Sequence, residues 1–324
     1  MNNITVGVLG ASGYAGRELC ELVARHPALD LVFASANFRA GESISVFGRS
    51  FEMITPEQAP FGKVDLVLSA LPHGVSGQWV RTAAAAGAAV VDLSADYRPG
   101  NGAAPDVLGC VPYGLTELKR DEVRNARVVA NPGCYPTAIL IALAPLLRHS
   151  LIMPGATINV SAASGVTGAG SAPKPQLMFA EIAEDFRAYA VGNQHRHINE
   201  MRATISELGA DADILFTPHL LPVARGILAT ITVPVTEEIS NPLSLWHEMY
   251  DSEPFVEVTD TMPALRDVVR RNVVRVTAMH ASSVRTPTLI VIAAIDNLVK
   301  GAAGQAIQNA NVMLGLPETM GLPA

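Results

Sequence analysis

The chain has 324 residues, 49% of them hydrophobic, and a formal net charge of −7, enough material for about two domains with buried cores. The acidic balance and the lack of long basic runs argue against nucleic acid or an anionic membrane as partner, and leave small molecules, including anionic metabolites held in local basic pockets. The three cysteines, Cys20, Cys110 and Cys134, are widely spaced without a Cys-x-x-Cys pair and read as reduced thiols in a cytoplasmic setting.

Residues 4–9 form an apolar strand with no basic leader ahead of it, so nothing predicts secretion. A glycine turn follows, Gly10-Ala11-Ser12-Gly13-Tyr14-Ala15-Gly16, then a run over 17–25 that spaces Leu19, Leu22 and Val23 as a helix, then a second strand over 29–35. This is a βαβ unit. A Gly-x-x-Gly-x-x-Gly triplet alone is a weak signal, since a structural turn uses glycine too. Its place between strand and helix points to a dinucleotide, whose pyrophosphate would approach the backbone and the helix N-terminus. The second strand ends in Ser35-Ala36-Asn37-Phe38-Arg39, with no acid to grip a free ribose 2′-hydroxyl and with Ser35 and Arg39 available for a 2′-phosphate. NADP is therefore expected over NAD. Asp30 stands at the other end of the strand, away from where a parallel sheet binds ligands. Apolar runs at 66–71, 89–93 and 128–130, with an alanine-rich helix over 75–86, complete a doubly wound parallel sheet.

At Cys134 the strand over 128–130 hands over through Asn131-Pro132-Gly133 to a helical run over 138–147. A starting helix favours a thiolate and stabilises an oxyanion beside it, whereas the competing reading is a packed, inert cysteine. The stretch 128–147 is uncharged, but Asn131, Pro132, Gly133, Pro136 and Pro145 make it a poor membrane span.

Beyond residue 135 longer strands are expected at 156–162, 226–235, 273–278 and 288–295, suiting an antiparallel sheet. Three loops carry chemistry. The glycine-rich segment 164–170 offers backbone amides as an anion nest, or is a connector. The segment 192–200, if extended, points His195 and His197 to one face. With Glu200 nearby these histidines could ligate a metal, serve catalysis, or be structural. The segment 217–226 adds His219 and Arg225, an arginine suited to a carboxylate. The end of the chain reads as a helix over 297–313 with a stripe of Leu298, Ala302, Ala306 and Ala310.

Six motifs together resemble the N-acetyl-gamma-glutamyl-phosphate reductase family over essentially the whole chain. They are Val129-Ala-Asn-Pro-Gly-Cys134-Tyr-Pro-Thr-Ala, Ala163-Ser-Gly-Val-Thr-Gly-Ala-Gly170, His195-Arg196-His197, Phe216-Thr-Pro-His219-Leu, Arg225-Gly-Ile-Leu and Asp296-Asn297-Leu-Val-Lys300-Gly-Ala-Ala. The resemblance implies an α/β protein, with a Rossmann-type doubly wound domain and an α+β catalytic and dimerisation domain of the semialdehyde dehydrogenase type. The first would span 1–133 plus 298–324, the second 134–297. It also implies NADPH-dependent reduction of an acyl phosphate to an aldehyde in arginine biosynthesis, with Cys134 as nucleophile, His197 as acid/base and no metal. Gly10, Ser12, Gly13, Tyr14, Gly16, Ser35, Arg39 and Asn297 would hold NADP. Arg98, Ser164, Gly165, His195, His219 and Arg225 would meet substrate, Arg98 being equally suited to a structural pairing. A homodimer or homotetramer is expected, built through the strand-rich domain. The chain departs from the family pattern at Ile198-Asn199, where a proline usually precedes the glutamate. The rival readings are a reductase acting on aspartyl phosphate and a non-catalytic NADP sensor, the latter having no use for an exposed helix-terminal thiol.

Overall fold

The computed structural model describes residues 3–101 and 108–324. They fall into two compact units, the first made of Met1–Gly133, Gly170–Ala172 and Ala302–Pro323, the second of Cys134–Ala169, Pro173–Gly301 and Ala324.

In the first unit β1 (Ile4–Leu9) and β2 (Leu29–Ser35) flank helix α1 (Tyr14–Arg25), and β3 (Ser43–Val46) and β4 (Arg49–Glu52) form a small hairpin. Then come β5 (Leu66–Ser69), α2 (Ser76–Ala85), β6 (Ala89–Asp92), α3 (Thr116–Arg124) and β7 (Val128–Ala130). The sheet runs β2-β1-β5-β6-β7 with every pairing parallel. The chain winds outward from β1 in one direction and then, from β5, in the other. That reversal between β1 and β5 is where doubly wound sheets bind ligands, beyond the carboxyl ends of the strands.

Side-chain alternation divides the two faces. Val6, Val8, Leu66 and Leu68 pack with Leu19 and Val23 of α1 and with Ala306, Ile307 and Ala310 of the C-terminal helix Gly304–Met313. Leu9, Phe33, Val67 and Val90 pack with Val80 and Ala83 of α2 on the other face. Cover on both faces explains why these strands are continuous apolar runs rather than alternating ones.

The second unit is organised around α4 (Cys134–Arg148), in which residues 135–147 are all buried. The helix begins at Cys134, four residues before the apolar run predicts, because Pro136 falls in the first turn, where a missing N–H costs nothing. Pro145, deeper in, cannot donate to the carbonyl of Ile141. Tyr250 donates its hydroxyl to that oxygen instead, at 2.7 Å, and the Trp246 indole donates to Ala142 at 3.1 Å.

The sheet comprises β8 (Ala156–Gly165), β9 (Arg187–Ala188), β10 (Ala212–Leu221), β11 (Ile227–Pro234), β12 (Val256–Val258), β13 (Val274–His280) and β14 (Thr288–Ile295), in the order β12-β13-β14-β11-β8-β10-β9. It is mixed rather than antiparallel as expected, since β10 pairs parallel to β8 and β12 parallel to β13. The unit also holds the short helix α5 (Phe179–Ile182), then α6 (Ile198–Glu207) and α7 (Leu243–Tyr250). Ile158, Val160, Ile214, Phe216, Ile231 and Val291 are buried. The intervening residues, among them Leu215, Leu228, Thr230, Ile290 and Ile292, are exposed or half-buried. Among the described residues no helix is long and apolar enough to cross a membrane.

Candidate functional site

The glycine turn of the first unit brings the end of β1, the turn and α1 into close contact. Gly10 has φ +79°, and a Cβ there would lie 2.7 Å from the Ala70 carbonyl oxygen. A Cβ on Gly16 would lie 2.1 Å from the Gly10 carbonyl oxygen, so α1 sits directly on the turn only because both positions lack a side chain. Helix α1 has Gly13 as N-cap, no side-chain cap and no acid in its first turn, leaving its leading N–H groups for an anion. Tyr14 is exposed and Ser12 half-buried at the same turn.

Ala11 N–H donates to the Ser35 carbonyl at 2.8 Å, joining the turn to the end of β2, where Ser35 Oγ is a buried hydroxyl without a partner. Arg39 is paired with Glu42 at 2.7 Å on the surface, which lowers the Glu42 pKa and raises that of Arg39. A partnerless buried hydroxyl, an uncapped helix start and a glycine cradle fit a dinucleotide. The neighbouring loops are tied by hydrogen bonds: Asp92, buried, accepts from Ser76 and Ser94, and Asp96 accepts from the amides of Gly74 and Gly77. Burial raises the Asp92 pKa, against those hydrogen bonds.

Arg98 is buried in this unit, donating to the carbonyls of Asn131 and Leu93 at 2.7 Å each. Two backbone carbonyls thus engage this guanidinium, which is not among the residues lining the thiol cavity.

That cavity lies in the second unit and has a volume of about 430 Å³. Cys134, at the first residue of α4, and His197, at the N-cap of α6, both open onto it, along with Tyr135, Ser164, Gly165, Tyr189 and His195. A Cβ on Gly301 would lie 2.7 Å from Cys134 Cβ, so this glycine gives the cysteine its room. The other thiols are differently placed: Cys20 is buried, which pushes its pKa up to about 12, and Cys110 is exposed in a loop.

The histidine segment is not extended. It turns through 191–197, and Asn193 anchors it by standing in for a neighbouring strand on β10: its side chain accepts from Phe216 N–H at 2.8 Å and donates to the Ile214 carbonyl at 2.9 Å. The turn brings the His195 and His197 rings to a centroid separation of 4.7 Å, the outcome extension was expected to produce by other means. His197 Nε2 lies 3.8 Å from Glu200 Oε1, one helical turn on, with both side chains buried. His195 also meets Tyr135, Tyr189 and Phe216. Burial, with the Arg196 charge adding to it, depresses its pKa to about 4. Tyr135 and Tyr189 share a hydrogen bond at 3.0 Å, and burial raises both phenols, Tyr189 to about 12. Among the described residues no group of three histidine, cysteine or acidic side chains is disposed to hold a metal.

The loop 164–170 has two readings, anion nest or connector, and its first amides do not serve a nest. Amides of Gly165, Val166 and Thr167 donate to the carbonyls of Gly226, Val223 and Ala224, and a Cβ on Gly165 would lie 2.8 Å from Ala224 O. Gly165 thus serves close chain packing, whereas Gly165, Gly168 and Ala169 also line the cavity and Gly170, at φ +83°, has open space around it. Arg225 lies 3.5 Å from Asp296 and outside the cavity lining. Asp296, fully buried, also accepts from the amides of Arg270, Leu298 and Val299, so this pair braces the turn leading to Gly301. Asn297 accepts from Gly226 N–H and donates to Thr167 Oγ1. His219 stacks on Phe186 at 5.1 Å and is likewise outside the lining.

The cations that do line the cavity are Lys174, Arg187 and Arg196, none of which the sequence reading selected. Arg187 is engaged by Asp185 at 2.6 Å. Arg196 stands between the two histidines, a signal that was visible; Lys174 follows an irregular segment with no periodicity to mark it.

Known proteins resemble the chain over both units. Residues 5–126 match the semialdehyde dehydrogenase NAD binding domain, and residues 134–297 the semialdehyde dehydrogenase dimerisation domain. N-acetyl-gamma-glutamyl-phosphate reductase of Citrifermentans bemidjiense is 42% identical, covering 98% of both chains. The one from Neisseria meningitidis serogroup C is 38% identical over 99% of this chain and 97% of its own. Among solved structures, aspartate semialdehyde dehydrogenase II of Vibrio cholerae, complexed with ASA, superposes with TM-score 0.77 at 21% identity, covering 97% of this chain and 99% of that one. The Candida albicans aspartate semialdehyde dehydrogenase with NADP gives 0.70 at 16% identity, with the same coverage. At these identities the likeness is one of fold.

Proposed function

The chain belongs to the N-acetyl-gamma-glutamyl-phosphate reductase family of semialdehyde dehydrogenases, and we propose that it reduces N-acetyl-L-glutamyl 5-phosphate to N-acetyl-L-glutamate 5-semialdehyde and phosphate, as a step of arginine biosynthesis. The observation that carries this reading is the shared cavity onto which a helix-initial thiol, Cys134, and a buried imidazole, His197, both open.

His197 takes the proton of Cys134, and the thiolate attacks the acyl carbon. A C–S bond forms, the C–O bond to phosphate breaks, and a thioester remains on the enzyme. The chemistry supplied by bound NADPH is a hydride for the thioester carbonyl. His197 lends its proton to the oxygen of the resulting thiohemiacetal and recovers it as the C–S bond breaks and aldehyde departs. Glu200, beside His197, favours the imidazolium during these transfers. Lys174 and Arg196 suit the α-carboxylate of the substrate at the cavity wall, a role the sequence suggested for Arg225.

The cofactor is proposed to be NADP rather than NAD, held by Gly10, Ser12, Gly13, Tyr14, Gly16, Ser35 and Arg39, with residues 1–133 and 298–324 as its domain and 134–297 as the catalytic and oligomerisation domain. Support comes from the uncapped start of α1, the partnerless Ser35 hydroxyl and the missing acid after β2. Assembly as a homodimer or homotetramer is proposed through the exposed face of the second sheet, where Leu215 and Leu228 await cover. A cytoplasmic setting is proposed from the three cysteines, none of which forms a disulfide.

The test is phosphate-dependent reduction of NADP by the purified protein, with N-acetylglutamate semialdehyde and aspartate semialdehyde offered side by side. The first is expected to be strongly preferred in kcat/KM. A reversed ratio would keep the reaction type and overturn the substrate.

A further inference from the structure

Two histidines two residues apart in one cavity invite the assumption that both exchange protons. Their backbone surroundings separate them. The amide of His197 donates to His195 Nδ1 at 3.2 Å, so that nitrogen is an acceptor and the ring proton of a neutral His195 must sit on Nε2. The ring is held in this orientation by four others, with centroids of Tyr135 at 5.4 Å, Tyr189 at 5.7 Å, His197 at 4.7 Å and Phe216 at 5.5 Å. Asn193 fixes the turn that carries it. The charged side chains on its own segment are Arg196 and Glu200, the latter set against His197 at 3.8 Å, while the packed elements contribute the phenols of Tyr135 and Tyr189, the imidazole of His197 and, across the cavity, the thiol of Cys134. Among the described residues no carboxylate hydrogen-bonds to or pairs with the His195 ring, and the charge acting on it is that of Arg196.

Building on the acyl-phosphate reading above, we propose that His195 is a fixed, neutral Nε2–H donor to the substrate's acyl oxygen, a catalytic residue distinct in kind from the proton-exchanging His197. A neutral donor in an aromatic cage needs no rearrangement as charge grows on that oxygen, first when thiolate adds and again when the thioester is reduced, and this is where a preorganised hydrogen bond contributes most. The depressed pKa of about 4 agrees: the ring stays uncharged through the working range. Burial rather than substrate imposes this state, so it is present before anything binds.

The experiment has two arms. In the first, the protein carries 15N-labelled histidine, and the ring signals are assigned by their loss in His195→Gln. His195 is expected to show an unprotonated Nδ1 and a protonated Nε2 that do not titrate between about pH 5.5 and 8.5, where free imidazole would. A protonated Nδ1, or titration near neutrality, would overturn the proposal without reference to any substrate. In the second, His195→Phe keeps the ring packing and removes the donor, and His195→Gln restores a side-chain N–H at a similar reach. The Phe variant is expected to lose roughly 10²- to 10³-fold in kcat, the usual cost of one oxyanion donor. The Gln variant should recover most of it, and both should retain the imidazole limb of the pH–rate profile. A loss confined to KM, a Gln variant as impaired as Phe, or disappearance of the limb would each refute the role. Wild-type protein without activity on the acyl phosphate would instead remove the function proposed above, leaving the spectroscopic arm to decide the tautomer.

Discussion

The two units use glycine-rich loops of similar composition for opposite purposes. In the turn from Gly10 to Gly16 the missing side chains leave α1 uncapped and its first amides available. In the loop from Ser164 to Gly170 the first amides are consumed by the carbonyls of 223–226. The first unit thus leaves backbone amides at a helix start, and the second gathers side chains: Cys134, Tyr189, His195, His197, Lys174 and Arg196 around one cavity. Glycine content alone does not tell a binding loop from a packing loop; what decides is whether another segment of the chain has already taken the amides.

If binding and chemistry are divided in this way, removing the thiol should separate them completely. Cys134→Ser is expected to lower turnover by at least about 10⁴-fold, the scale seen when a covalent nucleophile is lost, while NADPH titration gives an unchanged Kd. Cys20→Ser and Cys110→Ser should leave the rate near wild type. A Cys134→Ser protein that retains a substantial rate, or one that loses cofactor affinity, would break the division.

His197→Asn should cost about 10²- to 10⁴-fold in the chemical step, the usual range for a general acid or base. The imidazole limb of the pH–rate profile should vanish, with substrate and cofactor binding little altered. Stopped-flow measurement of the hydride step makes the check. Retention of the limb would move the proton-exchanging role elsewhere in the cavity.

The fold was largely visible in the sequence where apolar periodicity and glycine turns coincide, as at 4–9, 29–35 and 75–86. It was hidden where structure depends on distant partners. Strand β10 was taken partly for a loop because Pro218 and His219 interrupt its pattern, yet its register with β8 runs unbroken from Ala212 to Leu221. The expected helix over 297–313 opens instead with a π-helical turn, Val299–Ala303, because Asp296 captures the amides of Leu298 and Val299. The thiol and the histidine pair were legible because their residue types are chemically distinctive. Partners for Arg98 and Arg225 were not, since a guanidinium suits a carbonyl, a buried carboxylate or a substrate equally well, and only the fold says which is near.

A smaller effect is expected at Arg39, in the first unit. Arg39→Ala should weaken NADPH roughly tenfold by removing a charged partner for the 2′-phosphate, and leave NADH nearly unchanged. In the free protein Arg39 is held by Glu42, and both are exposed, so binding must exchange one partner for another, which limits the loss. Parallel titrations with the two cofactors decide it. Equal weakening of both would remove the 2′-phosphate assignment and turn attention to Ser35.

The least effect on chemistry is expected from Tyr250→Phe, which tests the scaffold of the second unit alone. Pro145 leaves the Ile141 carbonyl without its helical donor, and the Tyr250 hydroxyl supplies the replacement inside the core. Removing that hydroxyl strands a buried acceptor, at a cost of about 1–3 kcal/mol, while the ring of Phe keeps the packing. Denaturant unfolding should show the loss, and amide exchange should rise in α4 but not in β1, β5 or β6. The thiol should keep its reactivity at temperatures where the unit remains folded, since Pro145 lies three turns from Cys134 along α4. An unchanged stability would mean that the Ile141 carbonyl finds another donor. A selective fall in thiol reactivity without a loss of stability would instead show that the Tyr250 contact at Ile141 sets the position of the helix start.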